Sequence, residues 1–179
     1  MIELLVSVAL FTVVMTVSVG TLLALVNANQ KAQSMKSVTN NFNFALDSMS
    51  RAIRTGRSYL CSTSIPLLSL PDGTMDCSNG ERGLVLTDDH GQRLAYRFFA
   101  TGQRIERRIG DSGSWEALTA PEVKVVGMRF YVTGSDPGDT GDTVQPTVTI
   151  SIRGYVGAKE STDSVFKIQT TLTQWLLDQ

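Results

Sequence analysis

The chain has 179 residues, 42% hydrophobic and 18% charged, enough for one core plus an appendage and inconsistent with a disordered or multispanning protein. All 16 Lys and Arg, and all but one of the 17 Asp and Glu, lie at or beyond Lys31. That part is formally neutral, so nothing in the overall balance points to wrapping a polyanion or coating an anionic membrane.

Leu4 to Val26 is 23 residues with no charge, no Pro and one Gly. About 20 apolar residues suffice to cross a bilayer as a helix. The segment lacks the basic start and the small-residue cleavage site of a secretory signal peptide. Its helical period continues: Met35, Val38, Phe42, Ala45, Met49 and Ile53 recur at a spacing of three to four, which makes one apolar stripe. Lys31, Lys36, Asp47, Arg51 and Arg54 lie off that stripe, and Gly56 is a stop signal. The pattern predicts a single helix of about 55 residues, roughly 80 Å long. Residues 1–30 form an apolar half, and residues 31–56 form an amphipathic half with one face to bury.

Glu3 is the only charge before Lys31. A carboxylate at the head of a membrane-length segment is costly and marks a functional candidate. It can stay wet at the headgroup level, be protonated, or pair with a cation on another copy, such as an N-terminal amine. In the last case it becomes an assembly signal, because a misregistered neighbour leaves it unpaired.

The run "IELLVSVALFTVV" resembles the N-terminus of mature type IV pilins and type II secretion pseudopilins. Ile2, Glu3, Leu4, Leu5 and Val6 match its hallmark, with Glu3 at the signature glutamate position. The resemblance implies that Glu3 neutralises the N-terminal amine of a neighbouring subunit during assembly. It also implies a precursor whose short basic leader is removed by a prepilin peptidase, with methylation of the new N-terminus. Met1 then stands where the third mature residue is expected and the leader is lacking, either by truncation or through a mis-set start. Gly20 falls where major pilins carry a helix-breaking Pro, and the surrounding "TVVMTVSVGT" is rich in β-branched residues. This implies a stretch that loosens in a filament. The alternative is a glycine that admits a neighbouring helix.

Residues 57–82 read as a connecting loop with the two cysteines, Cys61 and Cys77. Outside the cytoplasm they would form a disulfide; inside it they would stay thiols. From Gly83 the period changes to two. "GLVLTDDHGQRLAYRFFATGQRIERRI" predicts three strands joined by turns. In "VKVVGMRFYV", Val126, Met128, Phe130 and Val132 share a face; in "PTVTISIRGYV", Val148, Ile150 and Ile152 do; in "VFKIQTTLTQWLL", Phe166, Ile168, Leu172 and Leu176 point inward. The expectation is an α+β fold: the long N-terminal helix packed, through its amphipathic half, on a C-terminal antiparallel β-sheet head of residues 83–179. "NFALDSMSRAIRTG", "QPTVTISIRG" and "FKIQTTLTQ" are similar to the larger minor pilins and the J-type minor pseudopilin, which implies a place at a filament tip.

Among candidate sites, "SDPGDTGDT" gathers Asp136, Asp139 and Asp142, oxygen donors suited to calcium. The carboxylates recur every three residues with no terminal Glu, so a solvated hairpin loop is the default; some pseudopilins bind calcium through such loops. Arg97, Arg104, Arg107 and Arg108 with Tyr96, Phe98 and Phe99 suggest a basic-aromatic patch for DNA, which some minor pilins bind. Strand alternation scatters these arginines over both faces, with Glu106 among them, so a mixed-charge face or salt bridges are expected and no specific nucleic acid partner. His90 is the only histidine and sits in a turn, which leaves no catalytic constellation and no cofactor other than the calcium candidate. Trp175 lies off the inward set, as an edge seal or a partner contact.

The expected function is that of a non-enzymatic minor pilin or pseudopilin. It is anchored in the cytoplasmic membrane with its body outside, then assembled with other pilin subunits into a type IV pilus or type II secretion pseudopilus. The alternative is a stand-alone single-pass membrane protein with an extracytoplasmic adhesin or sensor domain. A plain anchor tolerates loss of Glu3, and an assembly subunit does not. A membrane-tethered hydrolase is disfavoured by the missing nucleophile and base.

Overall fold

The computed structural model describes residues 1–65, 70–136, 144–156 and 164–175, without the side chains at 31, 34, 35, 37, 38 and 164. One helix, α1 (Ile2–Thr55), is followed by β1 (Arg57–Ser62), β2 (Gly83–Thr87), β3 (Arg93–Phe99), β4 (Arg104–Ile109), β5 (Glu116–Ala117), β6 (Val123–Thr133), β7 (Thr147–Val156) and β8 (Ser164–Thr173). The chain divides into two compact units, Met1–Ser37 and Val38–Gln179.

The second unit is the α+β body. Its part of α1 presents the expected stripe: Phe42, Ala45, Met49 and Ile53 are buried. Met35 and Val38 fall among the side chains outside the described set. The helix stops where close packing demands a glycine. A Cβ on Gly56 would lie 2.6 Å from the Ala52 carbonyl oxygen and 2.8 Å from Leu86 Cδ1. The last carbonyls, which have no partners within the helix, are met from elsewhere. The Tyr59 hydroxyl lies 2.6 Å from the Ile53 oxygen and 2.7 Å from that of Gly56, and the Trp175 N–H donates to the Arg54 oxygen at 2.8 Å.

The antiparallel β structure forms two sheets rather than one, β1-β2-β3-β4-β5 and β6-β7-β8. One core joins the helix to both: Phe42, Met49 and Ile53 pack with Leu84, Leu86, Tyr96 and Ile105 of the first sheet and Phe130, Val132, Ile150 and Ile152 of the second. Phe42 meets Phe166 with ring centroids 5.0 Å apart. The first sheet is also covered on its far side, where Leu60, Val85 and Ala95 pack with Ile65, Leu70 and Trp115. Burial on both faces explains why β1 escapes an alternation test: Tyr59, Leu60 and Cys61 are all buried, so the strand emerges inside the stretch expected to be connecting loop.

A bulge corrects the expected face of β6. Val125 opposes Gly154 and Gly127 opposes Arg153, which leaves Val126 as the extra residue. Val123 and Val125 face the core before it, and Met128, Phe130 and Val132 after it; Val126 is only half-buried. In β7, Val148, Ile150 and Ile152 are buried as expected. In β8, Leu172 is buried while Phe166 and Ile168 pack partly against the core; Leu176 lies outside the described residues.

Candidate functional site

The first unit is the first candidate site. Ile2–Gln30 is long and apolar enough to cross a membrane, with mean hydropathy 2.3, and none of its most apolar stretch is buried within the chain. Apolar surroundings tolerate a hydroxyl only if it finds a partner inside the helix. All five between Leu4 and Val26 do so. Ser7, Thr12, Thr16, Ser18 and Thr21 each donate to a carbonyl three or four residues back, at 2.7–2.9 Å. Glu3 lies in the first turn, where its charge complements the helix dipole. Among the described residues no cation lies within ion-pair distance of its carboxylate. The helix is unbroken through Gly20, and nothing approaches within 4 Å of the position a Cβ would take there.

The cysteine pair stitches the body together. Cys61 and Cys77 are disulfide-bonded with Cα atoms 6.0 Å apart, within the normal range. The segment around Cys77 bridges the two sheets. The Met75 N–H donates to the Tyr59 oxygen of β1 at 3.0 Å. The N–H groups of Cys77 and Glu81 donate to Val132 and Phe130 of β6 at 3.0 and 2.8 Å. Asp76 fastens the end of β6, accepting from the N–H groups of Gly134 and Ser135 at 3.0 and 2.9 Å. Burial pushes its pKa up, but the nearby Ser135 hydroxyl and the hydrogen bonds from both backbone N–H groups outweigh it, so the carboxyl is held below the ordinary aspartate range.

Of the calcium candidates, Asp139 and Asp142 lie outside the described residues, and Asp136 accepts a 3.3 Å bond from the Thr74 hydroxyl. A different acidic group comes together at the β2–β3 turn, where donor atoms of Asp88, Asp89 and His90 all lie within 4.8 Å of one another. That turn is exposed and internally bonded. Asp88 accepts from the N–H groups of His90 and Gln92, and His90 Nδ1 lies 2.7 Å from Asp89 Oδ1. The lone histidine is thus a turn-tip residue.

Strand pairing puts Arg97, Phe99, Arg104, Glu106 and Arg108 on the far face of the first sheet, and Tyr96, Phe98 and Arg107 on the core side. Glu106 is 2% exposed and ties two of the arginines, at 2.7 Å from Arg97 Nη2 and 2.7 Å from Arg104 Nη2. The Arg97 guanidinium also stacks 3.9 Å from the Trp115 ring centroid, and Arg107 reaches Glu116 at 3.7 Å. The basic-aromatic cluster is therefore a salt-bridged framework. Burial pushes the Tyr96 phenol up to about 12, with Arg107 opposing the shift and Asp88 adding to it; it stays neutral near pH 7.

The sequence reading passed over Phe44. It stands off the buried stripe, is 71% exposed, and borders a groove of about 540 Å³ with Asp47, Arg51, Leu94 and Arg107. A large exposed aromatic beside charged groups has the composition of a contact surface. Its signal was the break in the polar face of the helix. Trp175 is likewise 72% exposed, with the Arg54 guanidinium 5.6 Å from its ring centroid. No known protein family, curated protein or solved structure matches the chain.

Proposed function

We propose that the protein is a non-enzymatic, pilin-like assembly subunit, held in the cytoplasmic membrane by its first unit with the body outside, and passing from there into or to the tip of a type IV pilus or a type II secretion pseudopilus. The observation that carries this reading is Glu3, the one charge of the apolar stretch Ile2–Gln30, whose surface is exposed and whose hydroxyls are satisfied internally. A monomeric anchor gains from that carboxylate only its interaction with the helix dipole. A bundle of such helices gains register, because only one stagger brings a neighbour's amine to it. The disulfide supports an oxidising compartment for the body, and exposed Phe44 and Trp175 suit lateral contacts with other subunits. Prepilin peptidase is the processing partner this reading requires.

The test is incorporation of the full-length precursor into filaments in a cell carrying the pilus machinery, wild type against Glu3→Leu. Mechanical shearing and immunoblotting separate assembled from membrane-bound protein. The expected result is wild type in the sheared fraction and the mutant in the membrane. Retention of both in the membrane overturns the assembly role and leaves a single-pass protein with an extracytoplasmic binding domain.

A further inference from the structure

We propose that the open edge of β8 takes up an extended segment of another protein, which joins the second sheet as a further strand and sets an acidic side chain beside Lys167. This holds whether or not the chain enters a filament. A bare sheet edge carries a row of unpaired N–H and C=O groups that template further pairing. Among the described residues, the other edges of the two sheets are bordered or short. Along β1, the Met75 N–H donates to the Tyr59 oxygen and the Cys61 N–H to the Met75 oxygen. Along β6, the N–H groups of Cys77 and Glu81 donate to Val132 and Phe130, and the Val125 N–H donates to the Gln103 oxygen at 2.8 Å. The β5 edge is two residues long. In contrast, β8 runs for ten residues and pairs with β7 along its whole length. No backbone group among the described residues bonds to its outer side. At about 3.4 Å per residue this edge is roughly 34 Å long, and every second residue turns its N–H and C=O outward.

The core-side face of β8 is left incomplete in a way that a further strand would finish. Ile150 and Ile152 of β7 are buried, while their neighbours across the ladder, Thr170 and Ile168, are only half-buried, as is Phe166. The apolar layer therefore reaches the edge and stops there uncovered. Phe166 is already held in position. It lies over Gly154, where a Cβ would come within 2.5 Å of its ring, and against Phe42 at 5.0 Å between centroids. An edge fixed in advance loses little freedom when a partner binds.

Lys167 selects the occupant. It is the one charge of β8 and is exposed, and among the described residues no carboxylate lies within ion-pair distance of it. A lysine on an edge rejects strands that leave its charge unmatched. A second β8 is such a strand, because it has no Asp or Glu and brings another lysine. A strand with Asp or Glu across from Lys167 is accepted, because opposite charges directly across a strand pair attract. Side chains alternate along a strand, so the fitting segment is apolar where it faces Phe166 and Ile168 and acidic at the position between them. Main-chain hydrogen bonds supply the affinity and this alternation supplies the choice of partner.

The test is fluorescence anisotropy of a labelled synthetic peptide titrated with the full chain in neutral detergent micelles. In the peptide Val and Thr alternate, with Glu in place of the central Thr. Two control peptides carry Lys in place of that Glu, or N-methyl groups on alternate amides. The expected result is saturable binding of the Glu peptide, about threefold or more tighter than the Lys peptide, and none of the N-methylated one. Hydrogen exchange read by mass spectrometry should slow at residues 165–173 when the Glu peptide is bound. Lys167→Glu, a change at an exposed position, should reverse the preference between the Glu and Lys peptides. The proposal is overturned by absence of saturable binding in the millimolar range, by binding that survives N-methylation, by protection elsewhere than β8, or by an unchanged preference in Lys167→Glu. Protection of β8 that rises with protein concentration in the absence of peptide also overturns it, since the occupant is then a second copy of the chain.

Discussion

Glu106 shows what one buried carboxylate does for its surroundings. At 2% exposure it accepts from Arg97 and Arg104, and Arg97 in turn carries the Trp115 stack. Glu106→Ala leaves two guanidiniums facing each other without their counter-ion, and should cost about 3 kcal/mol. That is the low end for a broken buried pair, because Arg104 is half wet. Urea unfolding of the two proteins checks it. Asp76 makes a smaller, pH-dependent contribution. Its folded pKa is depressed below the unfolded value of about 3.9. The stabilisation is therefore complete above that value and is lost as pH falls through the folded pKa. Solvent screens the exposed carboxylate, so Asp76→Asn should cost about 0.5–1 kcal/mol at pH 7. It should also make the fall in stability below about pH 4 shallower. Thermal melts at pH 7 and pH 3 read both effects.

At the scale of elements, the disulfide and the strap around it hold one sheet against the other. Closing a loop across a separation of 16 residues stabilises by about 3 kcal/mol in the chain-entropy account. Cys61→Ser with Cys77→Ser should therefore lower the unfolding free energy obtained from urea titration by about 3 kcal/mol, and reduction of the wild type should do the same. On α1, two neighbouring apolar positions should behave in opposite ways. Ile53→Ala empties a fully buried site and should destabilise by about 2–5 kcal/mol. Phe44→Ala, on the exposed side, should change stability by less than about 0.5 kcal/mol while reducing filament incorporation. These helix positions were legible in the sequence, because a 3.6-residue period needs only local spacing. So were β2, β3 and β4, as apolar or mixed runs bounded by turn residues, and β7, whose alternation is regular over most of its length. The division into two sheets was not legible, since it depends on which distant strands pair. Nor was β1, which is buried on both faces and so has no alternation to read. Val126 was misplaced because one bulge shifts every earlier side chain on β6 to the other face. Of the candidate sites, Glu3 and the cysteines stand out in the sequence. The groove beside Phe44 does not, because Asp47, Leu94 and Arg107 come from different elements that only the fold brings together.

For the whole molecule, the two units answer to different solvents. No residue in the most apolar stretch of Ile2–Gln30 is buried within the chain, and none belongs to the core formed by the later part of α1 and the sheets. Its hydropathy is satisfied only by lipid or by other helices. The body, in contrast, has its own core, its own disulfide and matched ion pairs. Removal of residues 1–30 should therefore turn a membrane-associated protein into a soluble one. Its thermal midpoint should stay within a few degrees of the full chain, since a loss of about 1 kcal/mol shifts a domain of this size by roughly 2–8 °C. Near-ultraviolet circular dichroism of the truncated chain should retain the signal of its packed tyrosines. A truncated chain that aggregates, or melts far below the parent, would mean that the apolar helix completes the body. Its exposed face would then belong to the fold of the domain, and the case for a separate segment whose work lies in the membrane and the assembly would fail.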